Sequence, residues 1–211
     1  MVQVEHRHGI RAPVVALTYD DGPSEWTDGI LDHLAAHGGR ATFFVVGDAI
    51  AGDARLRTLR RTVAEGHELG NHTYSHPHVT ALAEAELRAE IDRAQAAIRR
   101  VADVAPVHWR APFLETNDDA LSVVDSIGLT HVGCSSMPGD WDLDADEIVA
   151  RVRAVLRPGA VIVLHDGRPD EPPELSRPTR EETVKATGRI LEEMKNLGLR
   201  SVTISELAVA D

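Results

Sequence analysis

The chain is short of several things, and each shortage excludes something. It has one cysteine, Cys134, among 211 residues. An intramolecular disulfide is therefore impossible, and the fold does not depend on an oxidising compartment. No apolar run approaches the roughly 18 residues that a membrane-crossing helix needs. Positive charge is scarce: 22 Lys and Arg stand against 34 Asp and Glu, for a formal net charge of -12. Nucleic acid and anionic membranes both require a cationic surface, so neither is expected as a partner. Low-complexity segments and 20–50-residue repeats are absent. Aromatic side chains are few as well, with 3 Trp, 2 Tyr and 3 Phe.

What is present reads as an ordinary globular composition, 43% hydrophobic and 27% charged. The length suits a single domain spanning 1–211. The first residues, Met1 to His8, lack the basic start, apolar stretch and cleavage site of a secretory signal. A cytoplasmic protein is expected if the chain is full length, and a secreted one if a signal has been removed. Cys134 follows a strand-like segment and is expected to be a small buried residue rather than a metal ligand.

Short β-branched runs alternate with longer amphipathic ones. Strands are predicted at 14–19, 40–46, 129–133, 160–165 and 200–204, with weaker ones at 67–70 and 107–109. Helices are predicted at 27–37, 55–65, 83–101, 118–126, 145–156 and 181–197. In the longest, Leu87, Ile91, Ala94, Ile98 and Val101 share one face. This alternation predicts a parallel sheet with helices outside it. Six or seven such units suit an α/β fold, a small barrel, closed or incomplete. Chemistry in such barrels sits at the C-terminal strand ends. The proline-rich stretch 167–179 is expected to be a loop, either a wall of the site or a surface connector.

The chemistry-bearing residues fall at those strand ends. Asp20-Asp21-Gly22-Pro23 offers two carboxylates at a turn, one to bind a metal and one to stay free as a base. His72 and His76, four apart, would share one face of a helical turn and chelate one ion. His78 follows Pro77 and is read as a bystander. Arg110 could pair with Asp20 and keep it ionised. Asp140 could orient a histidine, and Trp141 could line a substrate wall. Ile162-Val163-Leu164-His165-Asp166 is an apolar strand whose His165 could protonate a leaving amine. Each also has a plain structural reading; their common placement favours metal-assisted hydrolysis.

Five segments, Thr18–Pro23, His72–His76, Arg110–Phe113, Asp140-Trp141 and Ile162–Asp166, occur in an order that resembles the polysaccharide deacetylases. This is the NodB-homology domain, or carbohydrate esterase family 4. The resemblance runs from about Val14 to Leu207. It implies a deformed (β/α) barrel of about seven parallel strands and one divalent metal held by Asp21, His72 and His76, with Asp20 as base and His165 as acid. It also implies Arg110 as partner of Asp20, Asp140 as partner of His165, and the Phe113 N–H as an oxyanion donor. Trp141 and Leu164 are expected beside the substrate. The ligand set suits Zn²⁺ and admits Co²⁺, Mn²⁺, Fe²⁺ or Ni²⁺.

The implied reaction is removal of an N-acetyl group from an amino sugar, of the chitooligosaccharide, peptidoglycan or small N-acetylated type. The alternatives are an O-acetyl esterase on acetylated xylan, an N-deacylase of a non-sugar amide, and an inactive binding module. Two departures bear on the substrate. Arg110-Ala111-Pro112-Phe113-Leu114 stands where the family usually reads Arg-Pro-Pro-Tyr-Gly, placing Leu114 at a glycine position. The scarcity of aromatics predicts a substrate shorter than a long glycan. The oligomeric state is not legible.

Overall fold

The computed structural model describes residues 3–4, 9–167 and 179–211. Most of the proline-rich stretch expected to form a loop lies outside the described residues. The described residues form eight strands, all pairing in parallel: β1 (Gln3–Val4), β2 (Val14–Asp20), β3 (Thr42–Val45), β4 (Glu68–Asn71), β5 (His108–Trp109), β6 (Thr130–Val132), β7 (Val161–His165) and β8 (Arg200–Val202). The order across the sheet is β1-β6-β5-β4-β3-β2-β7, and β8 pairs with the first half of β2. Among the described residues, seven helices surround it: α1 (Thr27–His37), α2 (Gly52–Ala64), α3 (Glu84–Ala102), α4 (Asp118–Ser126), α5 (Ala145–Arg153), α6 (Glu181–Asn196) and α7 (Ile204–Val209). The path curls back on itself, because Ser136 bridges to Ile162 of β7 just beyond β6. That single bridge, with Ser135 N donating to Val161 O (2.8 Å) and Val163 N to Ser136 O (2.9 Å), draws the open edges together into a deformed barrel.

Strand periodicity assigns the two faces. Val15, Leu17 and Tyr19 of β2 and Ile162 and Leu164 of β7 join Ile30, Leu31, Leu34, Ile190 and Met194 in the cluster under the helices. Val14 and Ala16 pack on the other face with Phe44, Val132 and Val161. Ile204 and Leu207 of α7 plug that interior from the end opposite the functional residues. A third cluster joins Trp109 of β5 to Leu87 and Ile91 of α3 and Val123 of α4. Each fully buried Leu or Ile contributes roughly 1.5–3 kcal/mol. Packing of these faces therefore outweighs the intrinsic propensity of any one helix, a few tenths of a kcal/mol per residue at most about 1.

Capping sharpens the helix ends. Asn117 accepts from Ala120 N (2.8 Å) and Asp144 from Glu147 N (2.9 Å), each satisfying an amide that the first turn leaves without a partner. Gly38 closes α1 in the left-handed region at φ 62, where a side chain would be strained. The elements expected from the sequence are all found, within a few residues at their ends. β1, α7 and three short 3₁₀ turns were not anticipated; each is too short to show periodicity. Cys134 is only partly buried, against the inner cluster.

One contact ties the strands to the site above them. A Cβ on Gly70 of β4 would lie 2.4 Å from the Phe44 ring, which is fully buried and stacks under the Arg110 guanidinium at 4.0 Å. The variant Gly70→Ala is therefore expected to lose about 1–3 kcal/mol through overpacking. Urea unfolding measures it; an unchanged midpoint would refute the close approach.

Candidate active site

The functional side chains come from strand ends on one rim. β2 delivers Asp20 and then Asp21, which turns sharply at φ 77. β4 runs directly into His72, β5 into Arg110, and β7 ends at His165.

Arg110 is completely buried and spends its guanidinium on four acceptors. Nη1 donates to Asp20 Oδ1 (2.7 Å) and Thr18 Oγ1 (2.8 Å), Nε to Val132 O (3.2 Å) and Nη2 to Gly133 O (3.0 Å). Asp20 is thereby fixed in orientation beside a permanent positive charge. The Arg110 carbonyl has a second task. His72 Nδ1–H donates to it at 2.9 Å, which sets the imidazole tautomer and leaves Nε2 aimed at the carboxylates.

Asp21, His72 and His76 each present one ligand atom, all within 4.8 Å of one another. Asp21 Oδ1 lies 3.4 Å from His72 Nε2 and 3.3 Å from His76 Nε2. That oxygen is buried and makes no hydrogen bond. Three lone pairs thus face a common point, an arrangement that needs a positive charge between them. Burial alone would raise the Asp21 pKa, but the two imidazoles outweigh it and hold the acid well below the usual carboxylate range. One carboxylate and two imidazoles are the donor set of a three-ligand catalytic metal site, so these residues fit a divalent cation. Among the described residues this is the one such cluster.

The two histidines do not converge through a helical turn, as their spacing suggested. Residues 72–76 form an irregular loop in which Thr73 and His76 adopt φ 66 and 56. Two left-handed bends achieve what the helix was expected to do. The cost is met locally: Thr73 N donates to Asn71 Oδ1 (2.9 Å) and His76 N to Thr73 Oγ1 (3.2 Å).

His165 is held by Asp140, which lies on the segment after β6. Asp140 Oδ1 accepts from His165 Nδ1 (2.8 Å), and Oδ2 accepts from both the His165 N–H and Thr183 Oγ1 of α6 (2.8 Å each). Burial pushes the imidazole pKa down, yet the charge and hydrogen bond of Asp140, helped by Asp21 and Asp20, raise it to about 9. His165 is consequently protonated at neutral pH, with Nε2 as the free donor. Trp141 stands edge-on to its ring at 5.2 Å.

Asp166, adjacent in sequence, faces the β2 turn. Its carboxylate accepts from Gly22 N (3.1 Å) and Thr27 Oγ1 (2.6 Å), and its carbonyl accepts from Ser24 Oγ. A Cβ on Gly22 would sit 2.1 Å from that carboxylate, so only glycine fits there. Burial, and then Asp21 and Asp20, raise its pKa to about 7. Asp166 and Thr183 were not anticipated as site residues. The turn signal at Gly22-Pro23 was readable, but nothing local in Thr183 points at Asp140.

At the rim, Phe113 and Leu114 both occupy the left-handed region at φ 57. Leu114 thus stands in a backbone conformation that favours glycine. Phe113, at 38%, is the one exposed Phe, Tyr or Trp among the described residues. His78, read as a bystander, stacks on it at 4.1 Å and pairs with Glu115 (3.0 Å). Leu164, expected beside the substrate, is placed elsewhere: it is fully buried under the helices, because it alternates with His165 along β7. The other buried histidines lie apart from this cluster. Burial holds His67 down at about 4, and burial together with Arg110 does the same for His131, so both are neutral.

Comparison with known proteins gives the same assignment. A family model described as polysaccharide deacetylase matches residues 8–132. A chitooligosaccharide deacetylase of Sinorhizobium fredii is 42% identical over 196 residues, covering 91% of this chain and 90% of that one. The crystal structure of the Bc1960 peptidoglycan N-acetylglucosamine deacetylase superposes with a TM-score of 0.87 at 31% identity, covering 98% of this chain and 92% of its own. A family 4 carbohydrate esterase from Streptomyces lividans, in complex with acetate, gives 0.80 at 34% identity over 96% and 97%. With fold and relatives in agreement, the chain belongs to the polysaccharide deacetylase family, carbohydrate esterase family 4, and is a hydrolase of the deacetylase class.

Proposed function

We propose that the protein removes the N-acetyl group from N-acetylglucosamine units of a short oligosaccharide, using a divalent cation held by Asp21, His72 and His76. The observation that carries this reading is the buried Asp21 oxygen, unpartnered and faced by two imidazole nitrogens, with a second carboxylate close by. Zn²⁺ suits a set of two imidazoles and one carboxylate. When bound, such a cation acts as a Lewis acid toward the acyl oxygen and makes water more acidic.

The remaining roles fall to the chain's own residues. Asp20, held in orientation by Arg110, takes a proton from the attacking water as its oxygen bonds to the acyl carbon. The Phe113 N–H donates to the oxygen on which negative charge develops. His165 gives its proton to the nitrogen as the C–N bond breaks, releasing acetate and a free amine. Asp140 keeps that imidazole protonated and aimed. Short substrates are favoured because a single open aromatic, Phe113, and the half-buried Trp141 offer little stacking surface for a long glycan. The S. fredii relative, which bears the name chitooligosaccharide deacetylase, supports this choice.

The direct test is acetate release, after chelation and with or without restored Zn²⁺, from N-acetylglucosamine, chitooligosaccharides, acetylxylan and an aryl acetate. Zinc-dependent release from chitooligosaccharides is expected. Release from the esters alone would transfer the protein to the esterase reading, and silence on all four would sink the proposal. The variant Asp20→Asn is expected to keep its metal while kcat falls by about 10²–10⁴-fold; metal content and rate measured together check it, and a wild-type rate would remove Asp20 from the base role. The alkaline limb of the kcat profile gives a third check. His165 must be protonated to act, so activity falls as pH rises through its raised pKa, and a cation on Asp21 lowers that pKa by cancelling the acid's support. In Asp140→Asn the limb moves to lower pH still, and a limb that stays put would separate Asp140 from the acid.

A further inference from the structure

The loop carrying His72 and His76 leaves a set of backbone groups that must find partners. Its acceptors are met by the segment after β3: Gly47 N donates to Thr73 O (3.0 Å) and Asp48 N to Tyr74 O (2.8 Å). Two donors midway between the histidines, Tyr74 N and Ser75 N, converge instead on one side-chain oxygen. Glu90 Oε2 of α3 accepts them at 3.0 and 2.8 Å. The Glu90 side chain is only 13% exposed. Its other oxygen lies 3.6 Å from Arg93 Nη1, and Arg93 in turn covers the Tyr74 ring at 3.8 Å. The next residue along α3 takes part as well, since Ile91 O accepts from Asn71 Nδ2 (3.0 Å).

This pattern has a geometric purpose. Thr73 and His76 both sit in the left-handed region, and such bends persist only where surrounding contacts over-determine them. The two amides that Glu90 grips belong to the residues between those bends. One acceptor oxygen at that reach satisfies both N–H groups at once. Without it, the loop could relax either bend and swing His76 away from Asp21.

We infer that Glu90 is a positioning residue for the cation site, clamping the 72–76 loop so that His72 and His76 hold their spacing toward Asp21. The inference rests on the proposed role of Asp21, His72 and His76 as metal ligands. Glu90 touches neither metal nor substrate. It acts through two backbone amides, at the distance where supporting contacts alter metal affinity by about 10–100-fold.

The test is zinc affinity of the metal-free protein, by competition with a chromogenic chelator, alongside the visible spectrum of the cobalt form. Glu90→Ala is expected to bind zinc about 10–100-fold more weakly and to change the cobalt spectrum. Glu90→Gln keeps an acceptor oxygen at the same reach and is expected to recover most of the affinity. Glu90→Asp keeps the charge but falls a methylene short, so it should resemble Ala; the Gln and Asp pair also decides the matter if Glu90→Ala does not fold. Arg88→Ala, on the same helix and bonded to Ser126 Oγ, serves as the control and should leave affinity unchanged. Affinity equal to wild type in Glu90→Ala, while His72→Ala loses zinc, overturns the inference and leaves the metal reading standing. Affinity retained in Asp and lost in Gln overturns it too, by showing that charge rather than reach matters. A wild-type protein that binds zinc no better than His72→Ala overturns both.

Discussion

The buried pair of Arg110 and Asp20 is the constraint on which the rest of the site depends. An arginine with no exposure is stable only if its charge and its N–H groups are all answered, and here β2, the end of β6 and the turn beyond it answer them. Removing one partner of such a pair commonly costs about 3–5 kcal/mol, because the other is left charged and dry. The pair does more than stabilise. The backbone of the same arginine orients His72, so the proposed base and one proposed metal ligand are fixed by a single residue. One guanidinium thus ties β2 to β5 and β6, strands with which β2 does not pair in the sheet.

Around this centre the chain repeatedly uses strained backbone where regular structure would aim side chains wrongly. Asp21, Thr73, His76, Phe113 and Leu114 all lie at positive φ, and all line the rim. Strain of this kind, of order 1–3 kcal/mol per residue, survives only under a rigid scaffold. The parallel sheet and its helix-side core provide that scaffold, while the loops above it carry the chemistry.

Much of this was legible in the sequence because it follows from period and position. Short apolar, β-branched runs at 14–19 and 160–165 predict strands, and residues at their C-terminal ends predict a shared mouth. Convergence of Asp21, His72 and His76 was readable from spacing plus family resemblance, although the helical turn invoked for the histidines was wrong. Spacing constrains which residues can meet, not the dihedral route by which they do. Leu164 illustrates the opposite error: it was expected beside the substrate with His165, whereas strand alternation sends adjacent side chains to opposite faces. Thr183 and Glu90 were invisible for a further reason. They act across separations of 43 residues, to Asp140, and of 15 and 16, to the histidine loop, from helix faces whose local pattern is merely amphipathic.

The seam of the barrel has a consequence of its own. Between the β6 and β7 edges the sheet is joined at one bridge, Ser136 to Ile162, and Asp140 reaches His165 from the segment that makes the crossing. Asp20, Asp21 and His72 lie instead on or directly beyond strands within the continuous run from β2 to β4. Fraying at the seam would therefore loosen the hold of Asp140 on His165, the proposed proton donor, while leaving the proposed cation pocket intact. On the proposed roles, heat or denaturant would first impair departure of the amine, and only later the attack that precedes it. Robustness would then be unequal between the two halves of one turnover.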